Sequence, residues 1–376
     1  MGYKQQIGID YNEVFAPIER HDTIRMVLAL AAQSNWKILQ IDVKSAFLHG
    51  NLNEEVYIDQ PLGYVQHSNA RKVYCLKKAL YGLKQARRAC LYVDDLIYTG
   101  NDSIMFEEFK QFMMAEFEMT DLGMMHYFLG IEVIQSVVRI FINQKKYALE
   151  ILDRFQMENC NSATTSIEPN LKLTKDHEGK KVNNTLYKQM IGSLMYLTAT
   201  RPDIMYAVSL ISRFMESPTK LHLLVAKRIL HYLKGTPGLG ILYQKREKLN
   251  LVGFSDSDYA GDLNDRNSTS GYVFMLGLGA ISWSSKKQPI ITLSTIEAEL
   301  VAATSCACQA IWLRNILENL HYKQEETSII HCDILTRLSY YKSEDQVVDI
   351  LTKPLKLATF VKLRSLLRVV SSTTLK

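Results

Sequence analysis

Apolar positions at helical spacing run through residues 23–33 (TIRMVLALAAQ), and the shorter run at 36–43 (WKILQIDV) reads as a strand. Residues 91–100 (LYVDDLIYTG) are two β-prone runs meeting at Asp94 and Asp95, which predicts a tight hairpin by turn chemistry. An amphipathic helix with Met and Phe on one face is predicted at 103–117, then a second hairpin from YFLGIEV (127–133) and VVRIFI (137–142). Residues 161–185 are polar and read as a structureless linker, and helical patterns dominate 186–233, the last opened by Ser217 as cap and Pro218 in the first turn. Beyond Leu249 the texture changes to four short strands (LVGFSD, GYVFML, AISWSS and IITLS), a long helix over 295–320 and a last strand at 329–331. There is no internal repeat. Helices and strands mixed in this way over 376 residues predict an α+β or α/β chain of two or three domains.

With 47% apolar and 22% charged residues and no segment of biased composition, the chain falls in the globular range, and disorder of the whole is excluded. No run approaches the roughly 18 consecutive apolar residues of a membrane span, and MGYKQQIGIDYNEVF has no apolar centre that would serve as a signal peptide. The expectation is therefore an intracellular protein, cytoplasmic or nuclear, with no membrane partner. Cys75, Cys90, Cys160, Cys306, Cys308 and Cys332 are scattered without zinc-ligand spacing or a disulfide framework, and read as reduced thiols.

The net charge of +5 hides an uneven distribution. Residues 71–90 carry Arg71, Lys72, Lys77, Lys78, Lys84, Arg87 and Arg88 and no acid, so this one block exceeds the total. Residues 201–250 hold nine Lys and Arg against Asp203, Glu216 and Glu247, and residues 350–376 hold six with no acid. A single such run is most often a solvated face, but three favour a polyanion partner, and Tyr74 and Tyr81 among the first set of cations offer ring faces to bases or sugars.

The strand ending at Asp42 and the predicted turn at Asp94 and Asp95 bring three carboxylates together if the strands are neighbours in one sheet. Adjacent carboxylates repel, and a divalent cation relieves the repulsion; two such ions can activate a 3′ hydroxyl and stabilise a leaving pyrophosphate. An Asp-Asp pair without other signals is usually turn chemistry alone.

The surrounding residues supply those signals. GIDYNEVFAPIERHDTIRMVLALAAQ, QIDVKSAFLHGNLNEEVYIDQPLGY, LKKALYGLKQA and LYVDD closely resemble the reverse transcriptase of Ty1/copia-type retrotransposons. IGSLMYLTATRPDIMYAV, AKRILHYLKGTPGLGILY, GFSDSDYAGD, TSGYVFMLGLGAISWSSKKQ and SEDQVVDILTKPL resemble that family's connecting region and its ribonuclease H domain, in collinear order. The resemblance implies right-hand polymerase fingers and palm in residues 1–160, a linker and helical thumb or connecting region in 161–248, a ribonuclease H-like mixed-sheet domain in 249–355, and a basic tail in 356–376.

It also implies roles for individual residues. Asp42, Asp94 and Asp95 would form the polymerase triad, with Asp42 and Asp94 as metal ligands. Phe47 would exclude a ribose 2′ hydroxyl, or serve only as core packing, and the loop holding Lys84 and Gln85 would meet nucleotide and template. Phe128, Leu129 and Gly130 would grip the primer end. In the second domain Asp256, Glu299, Asp333 and Asp349 would hold two metal ions and cleave RNA in a hybrid. Glu297 is the alternative to Glu299, but at the helix start it can serve the macrodipole, and Asp258 is a weaker alternate. Implied cofactors are Mg²⁺ or Mn²⁺, two ions per intact active site. Implied partners are RNA template, DNA primer, RNA–DNA hybrid, deoxynucleoside triphosphates and other retroelement proteins.

Two departures qualify the expected activity. The family places a helix and strands between LKQA and YVDD, whereas Arg87, Arg88, Ala89 and Cys90 alone separate Ala86 from Leu91, and about 14 Å of extended chain cannot replace a helix of roughly 11 residues. A second gap follows Asp333, near residues 334–338, where a parallel crossover needs about a dozen residues. Three outcomes remain open: an active polymerase and nuclease, an impaired product that binds nucleic acid without chemistry, and a non-catalytic partner of another element protein.

Overall fold

The computed structural model describes residues 5–6, 20–44, 51–61, 63–65, 69, 71–80, 83–84, 95–175, 178–245, 249–332 and 346–375. The chain divides into two compact units, residues 1–20 with 36–125, and residues 21–35 with 126–376. Helix α1 (His21–Ser34) is therefore an early segment of the second unit.

In the first unit, β1 (Lys37–Val43) is the central strand of an antiparallel sheet. The pair β2 (Asn51–Ile58) and β3 (Tyr74–Lys78) forms a small separate sheet. β4 (Asp95–Gly100) lies on one side of β1, and β5 (Met119–Met124) on the other. Helix α2 (Ser103–Glu116) starts at Asp102, whose side chain accepts from the amides of Ile104 and Met105 and so satisfies two N–H groups without helical partners. It packs on the sheet through Met113, Phe109 and Phe117 against Ile41, Val43 and Met119, and a 2.6 Å Lys110–Asp121 ion pair ties it to β5. The predicted Met and Phe face is only partly covered, for Phe112 is 62% and Met114 46% exposed.

The second unit has two sheets. β6 (Tyr127–Phe128), β7 (Ile131–Ser136) and β8 (Arg139–Asn143) run antiparallel, and β8 continues onto β9 (Leu239–Gln244). Between β8 and β9 come helices α3 (Lys145–Arg154), α4 (Asn184–Leu197), α5 (Met205–Ser212) and α6 (Lys220–Gly235). The predicted cap at Ser217 is replaced by Thr219: its hydroxyl pairs with His222 Nδ1 at 3.1 Å, and its amide donates to the same nitrogen at 3.0 Å. The described residues of 161–183 carry no helix, but they pack rather than link, with Thr165, Ser166, Ile167 and Leu173 buried.

The second sheet has the order β12–β11–β10–β13, made of β10 (Leu251–Ser257), β11 (Thr269–Leu276), β12 (Gly279–Lys287) and β13 (Ile329–His331). β10 runs parallel to β13, and the other pairs are antiparallel. IITLS, predicted as a strand, is irregular. Pro289 brings no amide for a ladder, and the segment instead enters helix α7 (Thr295–Asn319), where Ser294 Oγ accepts from Glu297 N and Glu297 Oε2 accepts from Leu293 N. By length and apolar composition α7 would be able to cross a membrane. Here it lies on β10 and β11 and buries Ala298, Ala302, Cys306, Ala310, Leu313 and Leu317.

A short 3-10 turn at Val347–Leu351 covers β10 and β11, and α8 (Leu357–Leu366) leads to β14 (Val369–Ser371), which pairs with β9. The residues read from sequence as a basic tail thus complete a sheet. α1 packs on β8, β9 and β12, with the buried Arg25 donating to the carbonyls of Ile281 and Ala199 at 2.7 Å each and lying over the Trp283 ring.

Candidate active sites

In the first unit Asp42 and Asp95 face each other across β1 and β4, and Thr120 of β5 is the partner of Asp42 on the other side. Both aspartates are half-buried. Gln40, two residues before Asp42 on the same face of β1, donates from Nε2 to Asp95 Oδ1 at 2.8 Å and so fixes that carboxylate. Sequence reasoning had not singled out Gln40, although period-two spacing from Asp42 is the signal that would have found it. Asp94, Phe47 and Gln85, with the first half of the predicted hairpin, lie outside the described residues.

Lys84 is exposed, and its amide donates to Gln5 Oε1 at 2.8 Å. Arg71, Lys72, Lys77 and Lys78 are exposed too, with Tyr74 beside them on β3. Among the described residues none of these five cations is in an ion pair with a carboxylate. Much of the later basic sequence is committed internally: Arg201 to Asp203, Arg213 to Asp262, Arg228 to Glu168, and Arg364 to the Tyr232 hydroxyl.

Phe128, Leu129 and Gly130 form the tight connection between β6 and β7 in the second unit. Phe128 is buried, and Leu129 and Gly130 have φ of 44° and 77°, the double positive-φ pattern of a two-residue hairpin turn. The Tyr196 hydroxyl donates to the Leu129 carbonyl at 2.6 Å, and a Cβ on Gly130 would lie 2.1 Å from that hydroxyl, so only glycine fits there.

The second set of acids gathers around the end of β10. Asp256 is 1% exposed, and its Oδ2 accepts from Thr352 Oγ1. The Lys353 ammonium stands 3.6 Å from the same oxygen and 3.0 Å from Asp349 Oδ1. Glu299, from α7, accepts from the Ser257 amide at 3.0 Å, which holds its carboxylate beside the same strand end. Glu297 serves the helix start instead. Asp258 accepts from the Thr269 amide in the β10–β11 connection, and burial pushes its carboxyl up to about 6. Asp333 lies outside the described residues. Thr352 and Lys353 were not singled out from sequence, though Lys353 is four residues past Asp349, a spacing at which opposite charges meet.

Next to these acids, burial raises the Asp262 carboxyl but the Lys287 ammonium and the Asn264 amides outweigh it and hold it at about 2. Because that folded value is below the unfolded one, the stability it contributes is present above about pH 4 and lost as pH falls toward 2. Thermal melts at pH 5 and pH 2.5 should show a drop for the wild type that is smaller, by roughly 2–4 °C, in Asp262→Asn. Equal drops would show that Asp262 carries no such linkage.

A family model described as Reverse transcriptase (RNA-dependent DNA polymerase) matches residues 1–90 and 88–169. The retrovirus-related Pol polyproteins from transposon RE1 of Arabidopsis thaliana and transposon TNT 1-94 of Nicotiana tabacum are each 35% identical to the chain, over 96% and 93% of it. The corresponding polyprotein from transposon RE2 of Arabidopsis thaliana is 34% identical over 96%. The chain spans 29%, 30% and 29% of the length of these three relatives. The alignment with the RE1 polyprotein covers 427 positions, more than the 376 residues of this chain, so the relative has positions without a counterpart here. Residues 1–169 thus hold a reverse transcriptase domain. The chain belongs to the Pol polyprotein family of Ty1/copia-type retrotransposons.

Reverse transcriptases depend on divalent metal ions. Among the described residues, no three His, Cys, Asp or Glu side chains come together to hold one. Asp42 and Asp95 supply two carboxylates. Around Asp256 an ammonium occupies the space between two of the acids, so the arrangement as it stands does not fit a divalent ion.

Proposed function

We propose that the chain is the reverse transcriptase and ribonuclease H part of a Ty1/copia-type Pol protein, impaired in DNA synthesis by residues missing near 87–91 and retaining a basic face for nucleic acid. Its substrates in this reading are RNA template, DNA primer, deoxynucleoside triphosphates and RNA–DNA hybrid, with Mg²⁺ or Mn²⁺ as cofactor and other retroelement proteins as partners. The observation that carries the impairment is the break in the family match, which falls in two pieces meeting at residues 88–90. The uncovered Phe112, Met114 and Leu122 of the first unit support it, since large apolar side chains on one small unit are left without the neighbours that would bury them.

The ribonuclease H reading of residues 249–355 draws support from the mixed sheet, with one parallel pair beside two antiparallel ones, from Glu299 held by the Ser257 amide beside Asp256, and from Asp349 joined to Asp256 through Lys353. Metal-dependent hydrolysis needs carboxylates from separate elements, and in this reading a strand, a helix and a turn would supply them once Lys353 has left the space between Asp256 and Asp349.

The exposed Arg71, Lys72, Lys77, Lys78 and Lys84 would neutralise phosphates, and releasing their counterions makes affinity fall with salt at a log–log slope of about −0.9 per contact on duplex. Filter or fluorescence binding of RNA–DNA hybrid at several salt concentrations tests this. Charge reversal of Lys77, Lys78 and Lys84 together should weaken binding at low salt about tenfold or more, to the same extent for unrelated sequences. Salt-insensitive binding, or an unchanged slope in the triple variant, would remove nucleic acid as the partner of this face.

A further inference from the structure

A buried carboxylate needs a partner, and the way Asp256 obtains one has a consequence for metal binding. The turn at Val347–Leu351 delivers two neighbours at once. The amides of Thr352 and Lys353 both donate to the Asp349 carbonyl at 3.2 Å, which fixes the chain so that the Thr352 hydroxyl reaches Asp256 and the Lys353 ammonium reaches Asp256 and Asp349 together. Gly271, the β11 partner of Asp256, makes this approach possible. A Cβ there would lie 2.7 Å from Thr352 Cγ2 and 3.0 Å from Leu351 Cβ.

We propose that Lys353 is a resident cation that holds the Asp256–Asp349 pair in the metal-free protein and competes with a divalent ion for the same oxygens; this deepens the ribonuclease H reading and rests on it. Mg²⁺ and Mn²⁺ require the carboxylate oxygens for their own coordination, and an ammonium left within about 4 Å of a divalent ion is strongly repelled. Binding of the ion therefore requires Lys353 to leave. The side chain is 40% exposed and has four methylenes, so it has room to swing into solvent. Lys353 in this arrangement sets the threshold of metal concentration at which the site assembles.

The test is Mn²⁺ titration calorimetry on the full chain, wild type against Lys353→Met, Lys353→Arg and Asp256→Asn. The expected result is Mn²⁺ affinity roughly tenfold tighter in Lys353→Met. The metal-free melting temperature of that variant should fall below wild type and recover with Mn²⁺. Lys353→Arg should keep wild-type stability and weak binding, and Asp256→Asn should lose binding. A second measurement needs no variant. Amine acylation of the wild type by an N-hydroxysuccinimide ester, mapped by mass spectrometry, should label Lys353 more strongly when Mn²⁺ is present. Equal or weaker Mn²⁺ affinity in Lys353→Met, or labelling of Lys353 that ignores Mn²⁺, overturns the proposal; if Lys353→Met does not fold, the labelling decides. A hybrid-cleavage assay run alongside separates the two readings. Tighter Mn²⁺ binding with no cleavage even after the residues missing near 334–338 are restored from the RE1 polyprotein refutes the ribonuclease H reading and supports the role of Lys353, whereas cleavage with no change in Mn²⁺ affinity refutes the role of Lys353 alone.

Discussion

Primer extension on an RNA template with Mg²⁺ should be undetectable, or at least about a hundredfold below that of a chain in which the stretch between Ala86 and Leu91 is restored from the RE1 polyprotein. The described pair shows why the loss should be large. β1 and β4 set Asp42 opposite Asp95, and Gln40 fixes Asp95, so half of a carboxylate site is built by strand pairing alone. Two-metal chemistry needs the ions about 4 Å apart on shared acids, and loss of one stabiliser of developing charge costs about 10²–10³ in rate. The four residues from Arg87 to Cys90 leave no chain from which the helix expected by resemblance could form, and the family match is interrupted at that place. Restoration should bring back extension that Asp94→Asn abolishes. Efficient extension by the present chain, lost on the same substitution, would show that the junction is tolerated and that impairment is the wrong reading.

The elements that sequence periodicity predicted are those whose burial pattern is carried by their own residues. α1 hides Ile24, Met26, Leu28, Ala29 and Leu30 on β8, β9 and β12, and the pattern TIRMVLALAAQ states as much. β10 to β13 and α7 followed likewise. β9 and β14 were missed because the first is a short run of six residues just past a Gly-Thr-Pro-Gly break and the second is only three residues long. IITLS failed for the opposite reason. Ile290, Ile291 and Leu293 have strand-forming side chains, yet all three are exposed, and the helix cap that follows decides the backbone.

Asp42, Asp256 and Glu299 stand where the sequence pattern puts them, near strand ends and in a helix, whereas Asp349 lies in a short 3-10 turn. Their partners were not legible. Thr352 meets Asp256 across 96 positions, and Gly271 admits the turn by lacking a side chain; neither contact leaves a local trace in sequence. Charge counting leaves out the same kind of contact, since within the blocks at 201–250 and 350–376 Arg201, Arg213 and Arg364 are engaged inside the fold.

Among these, Arg201 is the residue whose loss should destabilise the second unit most. It and Asp203 are each 1% exposed. The pair is bidentate, Nε to Oδ1 at 2.9 Å and Nη2 to Oδ2 at 2.8 Å, and Arg201 also donates to the Thr236 carbonyl at 2.8 Å and hydroxyl at 3.0 Å. The Tyr232 hydroxyl donates to Asp203 Oδ2 at 2.7 Å and accepts from Arg364 at 2.8 Å, so α6 and α8 are joined through one buried network. Burial alone would raise the Asp203 carboxyl, but Arg201 and Tyr232 outweigh it and lower it, so its contribution to stability is present above about pH 4 and lost on further acidification. Removing one partner strands the other charge in the core, at about 3–5 kcal/mol, whereas replacing both by apolar groups of similar volume is often close to neutral. Against a total stability of about 5–15 kcal/mol this is large. Urea unfolding should therefore show Arg201→Met and Asp203→Leu each losing about 3–5 kcal/mol, and the double variant losing less than either single one. Single losses below about 1 kcal/mol that simply add in the double variant would mean that the pair does not hold α6 and α8 together, and that the apolar packing around Tyr232 and Phe360 does so unaided.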